Sequence, residues 1–561
     1  MNLYKRQNRK ACLIGLLGLV CGCTFIGEPE RVLVDPQILE LQQSMAQPKE
    51  RLDLLAEDPN RSLGILMYPR AKASTGPNEI HLTVEQAIAK ALARSPQITI
   101  VSLDASIAQQ AIIASKAELD PTLFGRYNLE ENDQPQASAY EIGRSSTRTT
   151  ELGIKQRIPT GAEYALTYAL TRTWDDLWYH GYQDRFTPVL AFQIRQPILR
   201  DAGTKATLAG IDVAKLNHQI ALLAFRQKAE ELATEVLTAY WRLAQARQEL
   251  QIQQEILQMA SETLEKVKAR VGIDATEIQV QQATFSLAMR RSQLVQAQRL
   301  VRDAQDRLAR LISDPQMDLL SNYQIIPQEI PEPEDLSIDQ HQALALAMSD
   351  NPAMTQARLA LRVAQVNWDL ARNQQQVRLD LVASASSQAL GYKLAEPHED
   401  LLEADKTSYA VGVVLEYPLG NRQRSAETAR RRLEYNKAVA NLQDLADQLA
   451  VQVKERYRQV LAAMEELEVQ TKAVEAARTQ LQAITDSEPI RDRLTPEFLL
   501  VKLQAQDALA ESMRARNRAL AEYQIAVAEL AQATGRVLGL YTLQVAPGKN
   551  FDRNQENHLD D

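Results

Sequence analysis

The chain has 561 residues, 45% apolar and 24% charged, with few Gly and Phe and long stretches of Ala, Leu, Gln, Glu and Arg, the composition of long helices. Its net charge of -9, with no clustered basic face, excludes nucleic acid as a default partner. The three cysteines, Cys12, Cys21 and Cys23, all fall before residue 24, and the six histidines are scattered, so no disulfide, metal or other cofactor is expected in a mature chain.

Lys5, Arg6, Arg9 and Lys10 precede a short apolar run, Leu13 to Val20, too short to span a bilayer and typical of an export signal. It ends at Val20-Cys21-Gly22-Cys23, which resembles the lipobox of bacterial lipoproteins, although Cys21 departs mildly from it. Residues 1–22 are expected to be a lipoprotein-type signal peptide. Cys23 becomes the acylated (palmitate-type) first residue of the mature chain, each buried methylene contributing roughly 0.8 kcal/mol to membrane attachment. An ordinary cleaved signal with an incidental Cys23 is the alternative. No later run approaches about 18 consecutive apolar residues, so a membrane crossing would need a β-barrel.

Residues 23–81 form an N-terminal extension. From there a pattern occurs twice: EQAIAKALARSP from Glu85 returns as HQALALAMSDNP from His341. Two internal repeats follow, at 82–313 and 339–540, joined by a Pro- and Glu-containing linker at 314–338 and followed by a polar tail at 541–561. Each repeat reads as a moderate helix, a strand region and two long helices. In the strand regions, Glu151 to Thr171 carries a turn at Thr160-Gly161 and alternates Tyr164, Leu166, Tyr168 and Leu170 with smaller or polar residues. Leu190, Phe192 and Ile194 do the same, as do Val377, Leu379 and Leu381, and Tyr409, Val411, Val413 and Leu415. This period of two fits strands with one lipid face and one polar face. About four such strands are expected, with Glu130-Glu131-Asn132-Asp133 and His398-Glu399-Asp400 in exterior loops. A soluble antiparallel sheet is the competing reading. An open sheet has unpaired edges and cannot sit in lipid alone, so several chains would have to close it.

In the first long helix, Leu222, Ala229, Val236, Leu243, Leu250, Leu257, Leu264 and Val271 fall at sevens, a coiled-coil seam. Val280, Leu287, Leu294, Val301 and Leu308 repeat it on the return helix, and Val439, Ala446, Val453, Val460, Leu467, Val474 and Leu481 in the second unit. Thr204 to Arg270 as one helix would reach roughly 100 Å. A simple rod or dimeric coiled coil would suffice without the strands.

The signal, the two units and the stretch Gln196-Pro197-Ile198-Leu199-Arg200 together resemble the TolC family of outer-membrane efflux proteins. The resemblance implies a mainly α fold with β: long helical hairpins forming a coiled-coil tunnel below a trimeric transmembrane β-barrel of twelve strands. It implies a homotrimer in outer-membrane lipid, extending into the periplasm. Such a channel is a passive exit duct of a tripartite efflux or type I secretion system, worked by a periplasmic adaptor and an inner-membrane pump, and is not an enzyme. A periplasmic coiled-coil adaptor or structural scaffold is the alternative.

The turn Val271, Gly272, Ile273 and Asp274 is similar to the family's adaptor-docking tip; a plain helix reversal is the simpler reading. Asp486, Glu488 and Asp492 are the candidates for a gate, near Arg491 and Arg493, although acidic residues at a helix end are more often merely solvated. The second tip, Thr485 to Pro496, lacks the Val-Gly-Ile turn.

Overall fold

The seven-residue seams fold into two helical hairpins. The first is α4 (Ala209–Ala269) with α5 (Glu277–Ile312); the second is α9 (Arg422–Ser487) with α10 (Pro496–Ala533). The computed structural model describes residues 78–540 apart from 137, 139, 177–183, 315–316, 318–322, 330–338, 395, 404–405 and 488–494.

On α9 the buried residues are Leu449, Val453, Val460, Leu467, Val474 and Leu481, so the repeat of seven sets the buried face over most of the helix. On α4, Ala229, Val236 and Leu243 obey the same spacing, but Leu250 and Leu257 are only half-buried while Ile252, Gln253 and Ile256 take the inner positions. The seam shifts where the neighbours change. The first half of α4 lies against α2 (Pro96–Ala117) and α7 (Pro352–Gln374). There His218 meets the Ala105 carbonyl at 3.2 Å and Gln227 accepts from Gln356 at 2.9 Å. The second half lies against α5 and α10, with Asn517 donating to the Gln245 carbonyl at 2.9 Å. The continuous helix expected from Thr204 is interrupted: a four-residue turn of helix, α3 (Thr204–Thr207), precedes α4. At 61 residues, α4 is still about 90 Å long.

Each hairpin follows a shorter helical pair, α1 (Val84–Arg94) with α2, and α6 (Gln340–Asp350) with α7. In both pairs proline opens the second helix, where its missing N–H costs nothing. Asn351 caps α7 by accepting from the Ala353 N–H at 2.9 Å and donates to the Ala533 carbonyl at 3.0 Å, tying the pair to the end of α10. Ala343, Ala347, Val453, Val460, Tyr523 and Leu530 form the core around that junction. Beside α4, the strands β1 (Asn78–Leu82) and β6 (Tyr323–Pro327) pair in parallel. The buried Tyr240 hydroxyl of α4 donates to the Leu82 carbonyl at 3.0 Å, and Gln305 of α5 donates to the Tyr323 carbonyl at 2.8 Å. The part of the 314–338 linker that is described thus lies beside the middle of α4 and the last turns of α5.

A single six-stranded antiparallel sheet holds β2 (Thr122–Asp133), β3 (Arg144–Arg157), β4 (Glu163–Asp175), β5 (Arg185–Pro197), β7 (Arg378–Gln388) and β8 (Thr407–Glu416), in that order. The expectation of about four strands is therefore corrected to six. Glu130 to Asp133, expected in a loop, extend β2 because Thr147 to Arg144 lie opposite on β3 and Arg144 pairs with Asp133 at 3.5 Å. His398, Glu399 and Asp400 are likewise not loop residues. They lie in the short helix α8 (Glu396–Glu403), where the Tyr168 hydroxyl of β4 and His398 Nε2 are 2.7 Å apart. A last short helix, α11 (Val537–Leu540), ends the described chain.

Candidate functional site: a two-faced sheet, its open edges and a helical tip

Strand register sorts the alternating residues onto two chemically different faces. One cross-strand row runs Leu123, Ile154, Leu166, Phe192, Ala385 and Tyr409 through all six strands. The alternating residues singled out in the sequence, from Tyr164 to Leu170, Leu190 to Ile194 and Tyr409 to Leu415, share this face. The opposite face carries the row Thr122, Lys155, Ala165, Gln193, Ser384 and Ala410.

On that polar face, at the end of the sheet nearest the helices, ion pairs cross four strands. Glu163 pairs with Arg195 at 3.9 Å, Arg195 with the buried Asp380 at 3.2 Å, Asp380 with Arg378 at 2.8 Å, and Arg378 with Glu416 at 2.7 Å. One carboxylate held between two guanidiniums keeps β5, β7 and β8 in register where the strands pass into helix. Each of these charges is met by an opposite one, whereas the other face is mainly Leu, Ile, Phe and Tyr across its central rows.

The sheet does not close on itself. β2 and β8 are its edges, each leaving a row of backbone N–H and C=O groups without a strand partner. Every residue of β8 is exposed, including Tyr409 at 87% and Val411 at 73%. The helices are open on the same two sides. In the layer next to the sheet the order is α2, α4, α7, α9, and in the layer farther away it is α5, α4, α10, α9. So β2, α2 and α5 form one side, and β8 and α9 the other. Both sides show apolar residues: Ile100, Leu103, Ile107 and Ile113 on α2, Phe285 and Val295 on α5, and Val451 and Val469 on α9. α2 is the one described helix long and apolar enough to cross a membrane by length and composition; it packs along α4 as the outer member of the helical layer.

At the end of the first hairpin, Gly272 takes φ +86°, a conformation that favours glycine. Backbone N–H groups of Ile273, Asp274 and Ala275 all converge on the Arg270 carbonyl at 3.1 Å, and the Arg270 side chain binds Asp274 at 2.9 Å. Thr276 and Gln279 form a capping box that starts α5. Locked in this way, the turn presents Val271 and Ile273 outward, the latter 81% exposed, with Ile278 beside them. Leu264, Val267 and Val280 beneath pack against Phe498 and Leu499 of α10. Of the gate candidates, Asp486 stands exposed in the last turn of α9, while Glu488 and Asp492 lie outside the described residues, as does Cys23. Sequence reasoning missed β2 and the ion pairs of the polar face; the alternation of Arg195 with Ile194 and of Asp380 with Leu381 was the available signal for the latter.

Among the described residues no group of three His, Cys, Asp or Glu side chains is placed to hold a metal ion. The family model for outer membrane efflux proteins matches residues 343–487, from α6 through β7 and β8 to the end of α9. Over this stretch the chain is similar to the outer membrane efflux protein family. Solved outer-membrane efflux channels share the fold of the chain. The outer membrane protein VceC of Vibrio cholerae is 17% identical over 81% of this chain and 96% of its own, with a TM-score of 0.58. The CmeC outer membrane channel of Campylobacter jejuni is 12% identical over 81% and 85%, TM-score 0.60. The MtrE outer membrane channel of Neisseria gonorrhoeae, solved in its open state, is 16% identical over 81% and 89%, TM-score 0.54. No curated protein sequence matches the chain.

Proposed function

We propose that this chain is one protomer of an outer-membrane channel that serves as the passive exit duct of a tripartite efflux or type I secretion system. The carrying observation is the two-faced sheet with two unpaired edges. A face of Leu, Ile, Phe and Tyr suits hydrocarbon, a face of Thr, Gln, Lys and Ser suits a water-filled lumen, and edges in lipid must be paired. β8 runs antiparallel to the order in which β2 would follow it, so β8 of one copy and β2 of the next continue the alternation around a closed wall. The same two sides open the helical layers, and a neighbouring copy covers the exposed seams of α2, α5 and α9. Three copies, the number the family resemblance implies, complete the ring.

The succession of a helical pair, strands and a helical hairpin, met twice in the element order, supports reading the chain as an internal duplication. Val271, Gly272, Ile273 and Asp274 form the tip that meets a periplasmic adaptor, itself bound to an inner-membrane pump: a rigid turn with two exposed aliphatic residues suits a dry, small contact. Asp486, with Glu488 and Asp492, belongs to a gate ring at the same end, where carboxylates selecting for cations would line the opening. Acylation of Cys23 adds a lipid anchor. The test is the native mass of the protein extracted in detergent from separated outer membranes. A trimer is expected; a soluble or inner-membrane monomer or dimer would replace this reading with that of a periplasmic scaffold.

A further inference from the structure

We infer that the hairpin β3–β4 is an inserted wall segment, and that with it the barrel proposed above has eighteen strands and is as wide as the helical tunnel beneath it. The inference rests on that shared barrel. It starts from the lateral order of the elements. The helices next to the sheet run α2, α4, α7, α9, and the strands that join them directly run β2, β5, β7, β8 in the same sequence. β3 and β4 stand between β2 and β5 and join no helix; residues 158–162 link them to each other.

That link is built into the junction. Gly161 has φ +89°, and a Cβ there would come within 2.5 Å of the Asp201 carbonyl. The Gly203 N–H donates to the Thr160 carbonyl at 3.0 Å, and Gln156 donates to the Leu119 carbonyl at the end of α2 at 2.9 Å. The hairpin is therefore seated on the ends of α2 and β5 and fills the space between them.

The dimensions explain why there is space to fill. Strands about 4.8 Å apart and tilted about 40° each take about 6.3 Å of wall, so six cover about 38 Å and four only about 25 Å. Four helices side by side, about 9 Å apart, cover about 36 Å. With six strands one chain's arc of sheet matches its arc of helices, whatever the number of copies; with four the barrel would pinch in above the tunnel. For three copies, eighteen strands give a backbone diameter of about 36 Å, and twelve give about 24 Å.

The experiment images the full-length protein in lipid nanodiscs by cryo-electron microscopy and counts strands in a slice through the bilayer. The expected result is a three-copy ring of eighteen strands. A variant lacking residues 144–175, which joins β2 to β5 by one loop, is expected to keep the trimer but to narrow its barrel about 1.5-fold in diameter. A three-copy ring of twelve strands with β3 and β4 outside the wall overturns the inference and leaves the channel reading standing. No closed ring overturns both, and a deletion variant whose trimer keeps the full diameter overturns the inference even where the slice is poorly resolved.

Discussion

The two halves of the chain use the same helices and different numbers of strands. Between α2 and α4 the first half places four strands, while between α7 and α9 the second places two. The helical layer is indifferent to this, since α2, α4, α7 and α9 lie side by side in unbroken order. Strand number is thus set locally, because a hairpin that leaves and re-enters a sheet at one place adds wall without changing what enters or leaves the helices. Helix number is set by long seams that bury side chains along tens of residues, and cannot be altered so cheaply.

If the seams are what the halves share, matched cavities in them should hurt alike. Leu243→Ala on α4 and Leu467→Ala on α9, both buried at seam positions, are each expected to lose about 2–5 kcal/mol, lowering the unfolding midpoint of the detergent-solubilised protein. A much smaller loss at Leu467 would mean that α9 depends chiefly on a neighbouring copy.

The sheet sharpens the comparison next. Leu190→Arg on β5 and Val413→Arg on β8 place a charge on the apolar face of either half, and each is expected to cost about 2–4 kcal/mol near the middle of a bilayer. Thr167→Arg, on the polar face, should leave membrane assembly unchanged. Heat-resistant oligomer on a gel separates these outcomes, and equal tolerance on both faces would remove the lipid-facing assignment.

A contact between the halves gives a smaller, pH-dependent effect. Glu230 of α4 is buried, and burial pushes its carboxyl up to about 7 although Arg226 lies 3.1 Å away; Asp350 adds to the rise. Arg226 also donates to the Gly535 carbonyl at 2.9 Å, and Arg536 binds Asp350 at 3.0 Å, so the cluster joins α4 to the ends of α6 and α10. Since the folded chain holds this proton more tightly than the unfolded one, stability is expected to fall as pH rises from about 4.5 to about 7, by up to roughly 3 kcal/mol. Glu230→Gln should flatten that slope in denaturant titrations and be the more stable form near pH 8; an unchanged slope would show that another group titrates there.

The smallest structural effect is expected at the tip. Ile273→Asp changes an 81% exposed side chain, so stability should stay within about 0.5 kcal/mol, while export of a pump substrate by cells carrying the variant should fall sharply. Normal export would leave the turn as a helix reversal only.

The helices were legible because a period of seven persists for many turns; on α4 it slips at Leu250 and Leu257, where the helix changes neighbours, and it ends before Val271, which the turn exposes. Four of the strands beyond β2 could be read from alternation. β2 could not, because its outer end, Glu130 to Asp133, is polar on both faces and is held as strand by backbone pairing to β3, a contact no local pattern announces. The tip was readable in Gly272, since a reversal between long helices needs a residue at ease with positive φ. The ion pairs through Asp380 depend on strand order, and between the end of β5 at Pro197 and the start of β7 at Arg378 the chain runs through the whole first helical hairpin, β6 and a second helical pair.

The central claim, that β2 of one copy closes on β8 of the next, is tested most directly by paired cysteines on those two edges. Tyr127→Cys on β2, combined in turn with Tyr409→Cys, Val411→Cys or Val413→Cys on β8, should on oxidation in outer membranes yield covalent species of two and three chains for at least one pair. Single-chain bands for every pair, in protein that fractionates with the outer membrane, would contradict the shared barrel.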